Sequence, residues 1–192
     1  MANESNTGSS SHPNDDALVL AVREGQPGLF DLLIQRYERR IFSFILRMVS
    51  QAQDAEELTQ DCFVRAFYAL DNCQPQGRFA SWLFTIAGNL VRTHLKNRSR
   101  AGKNLSLDRS TPELGREDKH HENGPDVQQS LDKVPEKYRV VLILKYVDSL
   151  SCREISEIEG INEDTVRQRL HRGREILREF MSPFPPSGSF PC

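Results

Sequence analysis

The stretch Thr165 to Arg178, TVRQRLHRGREILR, carries five arginines against one glutamate, a net charge of +4. Guanidinium groups neutralise phosphates and fork onto guanine edges, and a Gln amide pairs in the same two-point manner with adenine. The chemistry on offer is therefore DNA recognition. With Val166, Leu170 and Leu177 turned inward, a rotation of about 100° per residue puts Arg167, His171, Arg174 and Arg178 on one flank. The same rotation puts Gln168, Arg172, Glu175 and Glu179 opposite the core. The competing account is a solvated helix face, with Glu163 and Asp164 pairing to Arg167 and Glu175 pairing to Arg172 or Arg178. That account leaves Arg169 and Arg174 with no acid in reach on the helix.

Two further clusters are segregated by sign. From Gly88 to Lys103 there are five bases and no acid, a charge of +5, just downstream of the aromatic residues Phe79, Trp82 and Phe84. Basic groups beside aromatics suit unpaired nucleic acid, since aromatic rings stack on bases. Trp82 taken alone reads as a core residue, and a bare basic run also serves to balance a helix dipole. From Gln51 to Asp61 the balance is reversed, with four acids and no base, or −4. Such a patch repels DNA and is either a plain solvated helix start or a docking face for a basic partner.

The chain as a whole is near neutral, at −2 with a pI near 6.2, which argues against indiscriminate coating of nucleic acid. No Gly-rich phosphate cradle and no H-E-x-x-H occurs; His120 to Glu122 falls in a polar stretch where a chance cluster is the simpler account. No enzymatic site, metal or cofactor is expected. Cys62, Cys73, Cys152 and Cys192 lack C-x-x-C spacing, and the polar first residues are unlike a signal peptide, so a soluble protein of the cytoplasm is expected.

These groups need helices to position them. Residues 1–14 are too polar to offset the entropy of ordering and read as a disordered tail. From Asp15, apolar residues recur at helical steps: Phe30, Leu33, Ile34, Tyr37, Ile41, Phe44, Ile45 and Met48, then Leu58, Cys62, Phe63, Ala66, Phe67 and Leu70. After a break at DNCQPQG come Phe79, Trp82, Leu83, Ile86 and Leu90. This predicts a helical domain over 15–100. Residues 101–126 lose periodicity and gain charge, Pro and Gly, reading as a flexible linker. A second helical domain follows over 127–181, with Val140 to Leu144 buried on most sides. Within it Ser151 and Glu154 form a capping box, Gly160 ends that short helix, and Asn162 caps the next. The result is a helix-turn-helix. Residues 182–192, rich in Pro, read as a second tail. The fold expected is all-α, two small helical domains joined by a flexible linker.

Three blocks, DAEELTQDCFVRAFYAL, GRFASWLFTIAGNLVRTHLKNRSR and LSCREISEIEGINEDTVRQRLHRGREILR, in this order, resemble the extracytoplasmic-function (ECF) group of bacterial sigma factors. The resemblance implies a protein that binds core RNA polymerase and directs it to promoter DNA, with residues 15–100 similar to sigma domain two and 127–181 to domain four. It implies a core-polymerase face at Asp54, Glu57, Gln60 and Asp61, and a minus-ten face at Arg78, Phe79, Trp82, Asn89, Arg92 and Lys96. Arg167, Gln168, His171 and Arg172 would read the minus-thirty-five element. The linker, at −3 over Asn104 to Asp126, would thread a basic channel, and an anti-sigma factor is implied as a partner. The chain departs from the family pattern at Gly88, where a larger and commonly basic residue is frequent, at Asn162 in place of Pro, and at Glu163 and Asp164 in place of neutral residues. A helix-turn-helix repressor or activator working without core polymerase explains the second domain equally well, though not the acidic and aromatic helices of the first.

Overall fold

In the computed structural model the described residues are 14–74, 77–105 and 127–181, with the side chains of 101–105 excluded, and among them every regular element is helical. The order is α1 (Asp15–Arg23), α2 (Phe30–Val49), α3 (Ala52–Tyr68), α4 (Phe79–Leu105), α5 (Val127–Lys133), α6 (Glu136–Tyr146), α7 (Cys152–Glu159) and α8 (Glu163–Met181), with short 3-10 turns at Pro27–Leu29 and Leu70–Asn72.

Asn14 caps α1, its side-chain oxygen accepting the Ala17 N–H at 2.8 Å. Gly25, at φ 99°, and Pro27 then stop α1, so the helical pattern running on from Asp15 is two helices rather than one. The long α2 buries Leu33, Ile41, Phe44 and Ile45 completely. Against it pack the inner faces of α3, through Ala55, Cys62 and Ala66, and of α4, through Phe79, Leu83, Phe84 and Ala87. Phe44 and Phe84 meet edge to face at 5.5 Å, the arrangement that the ring quadrupole favours. Cys62 sits in this core, where burial pushes its thiol up to about 12 and makes it inert.

The second unit is built around α6. Val140 to Leu144 are all buried because the helix is enclosed by α2, α7 and α8. Gly173 lets α8 come close: a Cβ there would lie 3.1 Å from Leu142 Cγ and 3.3 Å from Tyr138 Cβ. Val166 and Leu170 complete the seam, whereas Phe180, near the end of α8, is exposed.

The composition of residues 101–126 predicts two units joined by a flexible linker. Residues 106–126 lie outside the described residues, but the units themselves pack together, α4 against α7 and α2 against α5 and α6. Phe44, Met48, Val91 and Val140 meet at this junction around a cavity of about 580 Å³. Arg40 lies 3.5 Å from the Asp148 carboxylate, and Arg139 donates to the Met48 carbonyl at 3.2 Å. Apolar burial on both sides supplies the attraction, and the Arg40–Asp148 ion pair and the Arg139 hydrogen bond fix the register.

Candidate nucleic-acid interface

The helix-turn-helix is fixed at each joint by its own sequence. Ser151 Oγ accepts the Glu154 N–H at 3.2 Å while the Glu154 carboxylate accepts the Ser151 N–H at 2.8 Å, closing the capping box that starts α7. Gly160 ends α7 in the left-handed region at φ 64°. Asn162 Oδ1 accepts the Thr165 N–H at 2.7 Å and starts α8. With Val166 and Leu170 locked inward, Arg167, Gln168, His171 and Arg172 all stand exposed.

Three of these four have acidic partners. Arg167 is held by Glu163 at 2.9 Å and Asp164 at 2.7 Å, and Arg172 by Glu175 at 3.0 Å. The hydrogen bond from Arg172 is the main reason that the Glu175 carboxyl lies below its ordinary range. His171 Nδ1 is 3.8 Å from the same carboxylate. Gln168 has no hydrogen-bond partner among the described residues. Arg174 donates to the Tyr146 hydroxyl at 3.3 Å. Arg169, which has no acid in reach on α8, turns to α7, 3.6 Å from Glu159.

Glu159 was not legible as a functional residue. Its side chain is 7% exposed, and its other oxygen takes Arg92 Nη2 of α4 at 2.9 Å. One buried carboxylate thus holds an arginine from each unit.

On α4, Trp82, Asn89 and Lys96 recur every seven residues and form a stripe about 21 Å long, with Arg78 at its head. Arg78, Asn89 and Lys96 are exposed, Trp82 is half-buried, and Asn89 accepts from Arg92 Nη1 at 2.6 Å. Phe79 differs from the others. It is 1% exposed, its ring 5.3 Å from Tyr37 and 5.9 Å from Trp82, so it supports Trp82 from beneath instead of facing solvent. Phe84 is likewise in the core.

The acidic face is on α3. Glu57, Gln60 and Asp61 are exposed, while Asp54 is half-buried and lies 3.2 Å from His94 Nε2 of α4. Val64 and Tyr68, seven and eleven residues beyond Glu57, continue the same side of the helix, and Tyr68 is 83% exposed. Phe67, expected inside, is more than a third exposed, its ring 5.2 Å from Phe30. No group of three or more His, Cys, Asp or Glu suited to a metal occurs among the described residues; His120 to Glu122 lie outside them. Nor is any described helix long and apolar enough to cross a membrane.

An all-helical chain with a helix-turn-helix behind an acidic helix and a basic helix defines a class, the sigma-70 type of transcription initiation factor. Residues 33–101 match the family model for sigma-70 region 2, and residues 126–177 match the model for sigma-70 region 4. The chain is 32% identical over 176 residues to the ECF RNA polymerase sigma factor SigW of Bacillus subtilis, covering 84% of this chain and 93% of that protein. It is 31% identical over 184 residues to the RNA polymerase sigma-H factor of Pseudomonas aeruginosa, covering 88% and 94%. Among solved structures, CnrH in complex with the cytosolic domain of CnrY superposes with a TM-score of 0.66 at 24% identity, covering 85% of this chain and 94% of that one. The sigma factor RpoE in complex with the anti-sigma factor NepR, from Bartonella quintana, does so with a TM-score of 0.66 at 22% identity, covering 79% and 95%. These two likenesses concern the fold. The chain belongs to the ECF sigma factors, and it binds core RNA polymerase and directs promoter recognition and transcription initiation.

Proposed function

We propose that the three faces divide the work of initiation. Glu57, Gln60 and Asp61, with Asp54 at their edge, dock on core polymerase; Arg78, Trp82, Asn89, Arg92 and Lys96 take the unpaired minus-ten strand, with Phe79 backing Trp82. Arg167, Gln168, His171 and Arg172 read the minus-thirty-five element. The observation that carries this division is the segregation of sign onto separate helix faces, −4 over residues 51–61 at the start of α3 and +4 over residues 165–178 of α8, whose remaining acids, Glu163, Asp164 and Glu179, stand at its two ends. Complementary charge steers association and orients it, and the exposed Val64 and Tyr68 offer the docking face an apolar centre.

Both solved neighbours are complexes, one of them with an anti-sigma factor, and an anti-sigma factor is the partner we assign to this chain. Action in the cytoplasm and the lack of an enzymatic activity of its own follow from the same reading. Run-off transcription with core polymerase tests the whole: promoter-specific transcripts support it, and tight duplex binding without core and without initiation supports a repressor. Asp61→Lys should weaken capture of core in a pull-down at modest salt while leaving the helical circular dichroism unchanged. Undiminished capture would remove α3 from the docking face.

A further inference from the structure

The segment between α3 and α4 has little apolar surface of its own to hold it. Leu70 and Cys73 are buried, while Asp71, Asn72 and Gln74 are exposed. What it has is α1. Arg23, in the last turn of that helix, donates from Nη2 to the carbonyls of both Leu70 and Cys73, and its Nε lies 3.7 Å from the Asp71 carboxylate. Seven residues earlier, on the same face, Asp16 accepts the Gly77 N–H with its two oxygens at 3.0 and 2.9 Å. Two helical turns, about 10.5 Å, separate the two grips.

Apart from the Asp71 carboxylate, the partners in both grips are backbone groups, so α1 holds the segment mainly through its main chain. Gly77 stands at φ 68°, a conformation open to glycine at little cost, and Arg78 and the first residue of α4 follow at once. A second connection runs through the core. Asp15 accepts from Arg36 and from the Tyr37 hydroxyl, the Tyr37 ring packs on Phe79, and Phe79 packs on Trp82. Adjacent acids at the start of α1 therefore reach two residues at the head of the minus-ten face, Arg78 by backbone and Trp82 by packing.

We propose that Asp16 and Arg23 are positioning residues for minus-ten recognition, holding the backbone at Leu70, Cys73 and Gly77 so that Arg78 and Trp82 are presented to an unpaired base, without touching the nucleic acid themselves. This rests on the assignment of Arg78 and Trp82 made above. Hydrogen bonds from charged side chains to the backbone are among the stronger ones available, and a carboxylate or guanidinium at such a site resists replacement by a group lacking its geometry.

The test uses holoenzyme, core polymerase plus the full chain, on a promoter that wild-type holoenzyme selects from a randomised library, with its minus-ten segment held open by mismatches. One base of that segment is 2-aminopurine, whose fluorescence reports unstacking. Asp16→Ala should lower affinity for this template about tenfold, the loss expected for one charged hydrogen bond. It should also shrink the fluorescence change and flatten the preference among the four bases at that position, with core capture unchanged. Asp16→Asn keeps an acceptor and should restore most of the signal. Arg23→Lys keeps the charge, but its ammonium falls short of the position of Nη2 and leaves no second nitrogen facing Asp71, so it should show the loss. If Asp16→Ala does not fold, the contrast between Asp16→Asn and Arg23→Lys carries the test. Wild-type affinity and base preference in Asp16→Ala and Arg23→Lys overturn the inference, as does an equal loss in Asp16→Asn and Arg23→Lys with base preference intact. Trp82→Ala and Arg78→Ala run alongside as references. If they too bind and discriminate as wild type, the assignment of the minus-ten face has failed, whereas an effect confined to them fails only the role of α1.

Discussion

On the face proposed to read the minus-thirty-five element Gln168 is uncommitted, whereas Arg167 and Arg172 begin in ion pairs with Glu163, Asp164 and Glu175. An arginine that leaves a carboxylate for a phosphate exchanges one charged contact for another, so its net gain is small; an amide with no protein partner gives up only water to pair with adenine. Gln168→Ser should therefore cost about 1–3 kcal/mol of discrimination at one minus-thirty-five base pair. The salt dependence of binding should stay unchanged, because no phosphate contact is lost. Binding of holoenzyme to promoters carrying each base pair at each position of that element checks this. An even loss over all sequences would put the helix in the groove at another rotation. The local ion pairs were legible, since three- and four-residue steps predict them. The pairing of Arg169 was not: its partner Glu159 lies across the turn, on another helix, and periodicity within one helix carries no information about such a contact.

Two glycines inside helices do opposite things to the elements that hold them. At Gly173 a Cβ would meet Leu142 Cγ and Tyr138 Cβ at 3.1 and 3.3 Å, atoms close to a buried main chain that cannot swing aside. Overpacking there costs about 1–3 kcal/mol, more than the ~1 kcal/mol that alanine gains over glycine in a helix. At Gly88 the nearest atom is the tip of Arg92, 3.4 Å away on a flexible side chain. Gly173→Ala should thus lower the urea midpoint, while Gly88→Ala should raise stability by up to about 1 kcal/mol. A gain at position 173 would mean that α6 and α8 have room to part. From the sequence, Gly173 sits on the apolar seam and Gly88 in a helical run, and nothing in spacing separates the two roles. The helices themselves were legible because their apolar residues follow the 3.6 period. The break between α1 and α2 was not, because the pattern resumes beyond it.

Asp148 ties the two halves of the molecule to pH. Its side chain is 3% exposed beside Arg40, and burial, outweighing the arginine, pushes its carboxyl from 3.8 to about 6. The folded protein therefore holds this proton more tightly than the unfolded chain does. The contribution to stability is complete below pH ~4, declines as pH rises toward about 6, and is constant above. A rise of that size corresponds to ~3 kcal/mol at most. Asp148→Asn should remove this component. The difference in urea midpoint between wild type and variant, in which the other carboxylates cancel, should change between pH 4 and 6.5 and be flat above. A constant difference would mean that Asp148 is solvated and the halves are apart. The docking of the units was the least legible part of the fold, since each surface reads as an ordinary helix face; only Val140 to Leu144, apolar all round, pointed to a helix enclosed on every side. Docked in this way, a chain cut between Leu105 and Val127 should stay together as two complementary fragments that co-elute, held by the apolar surface of Phe44, Met48, Val91 and Val140 and by the Arg92, Glu159 and Arg169 bridge; fragments that elute separately would show that the connection itself holds the halves.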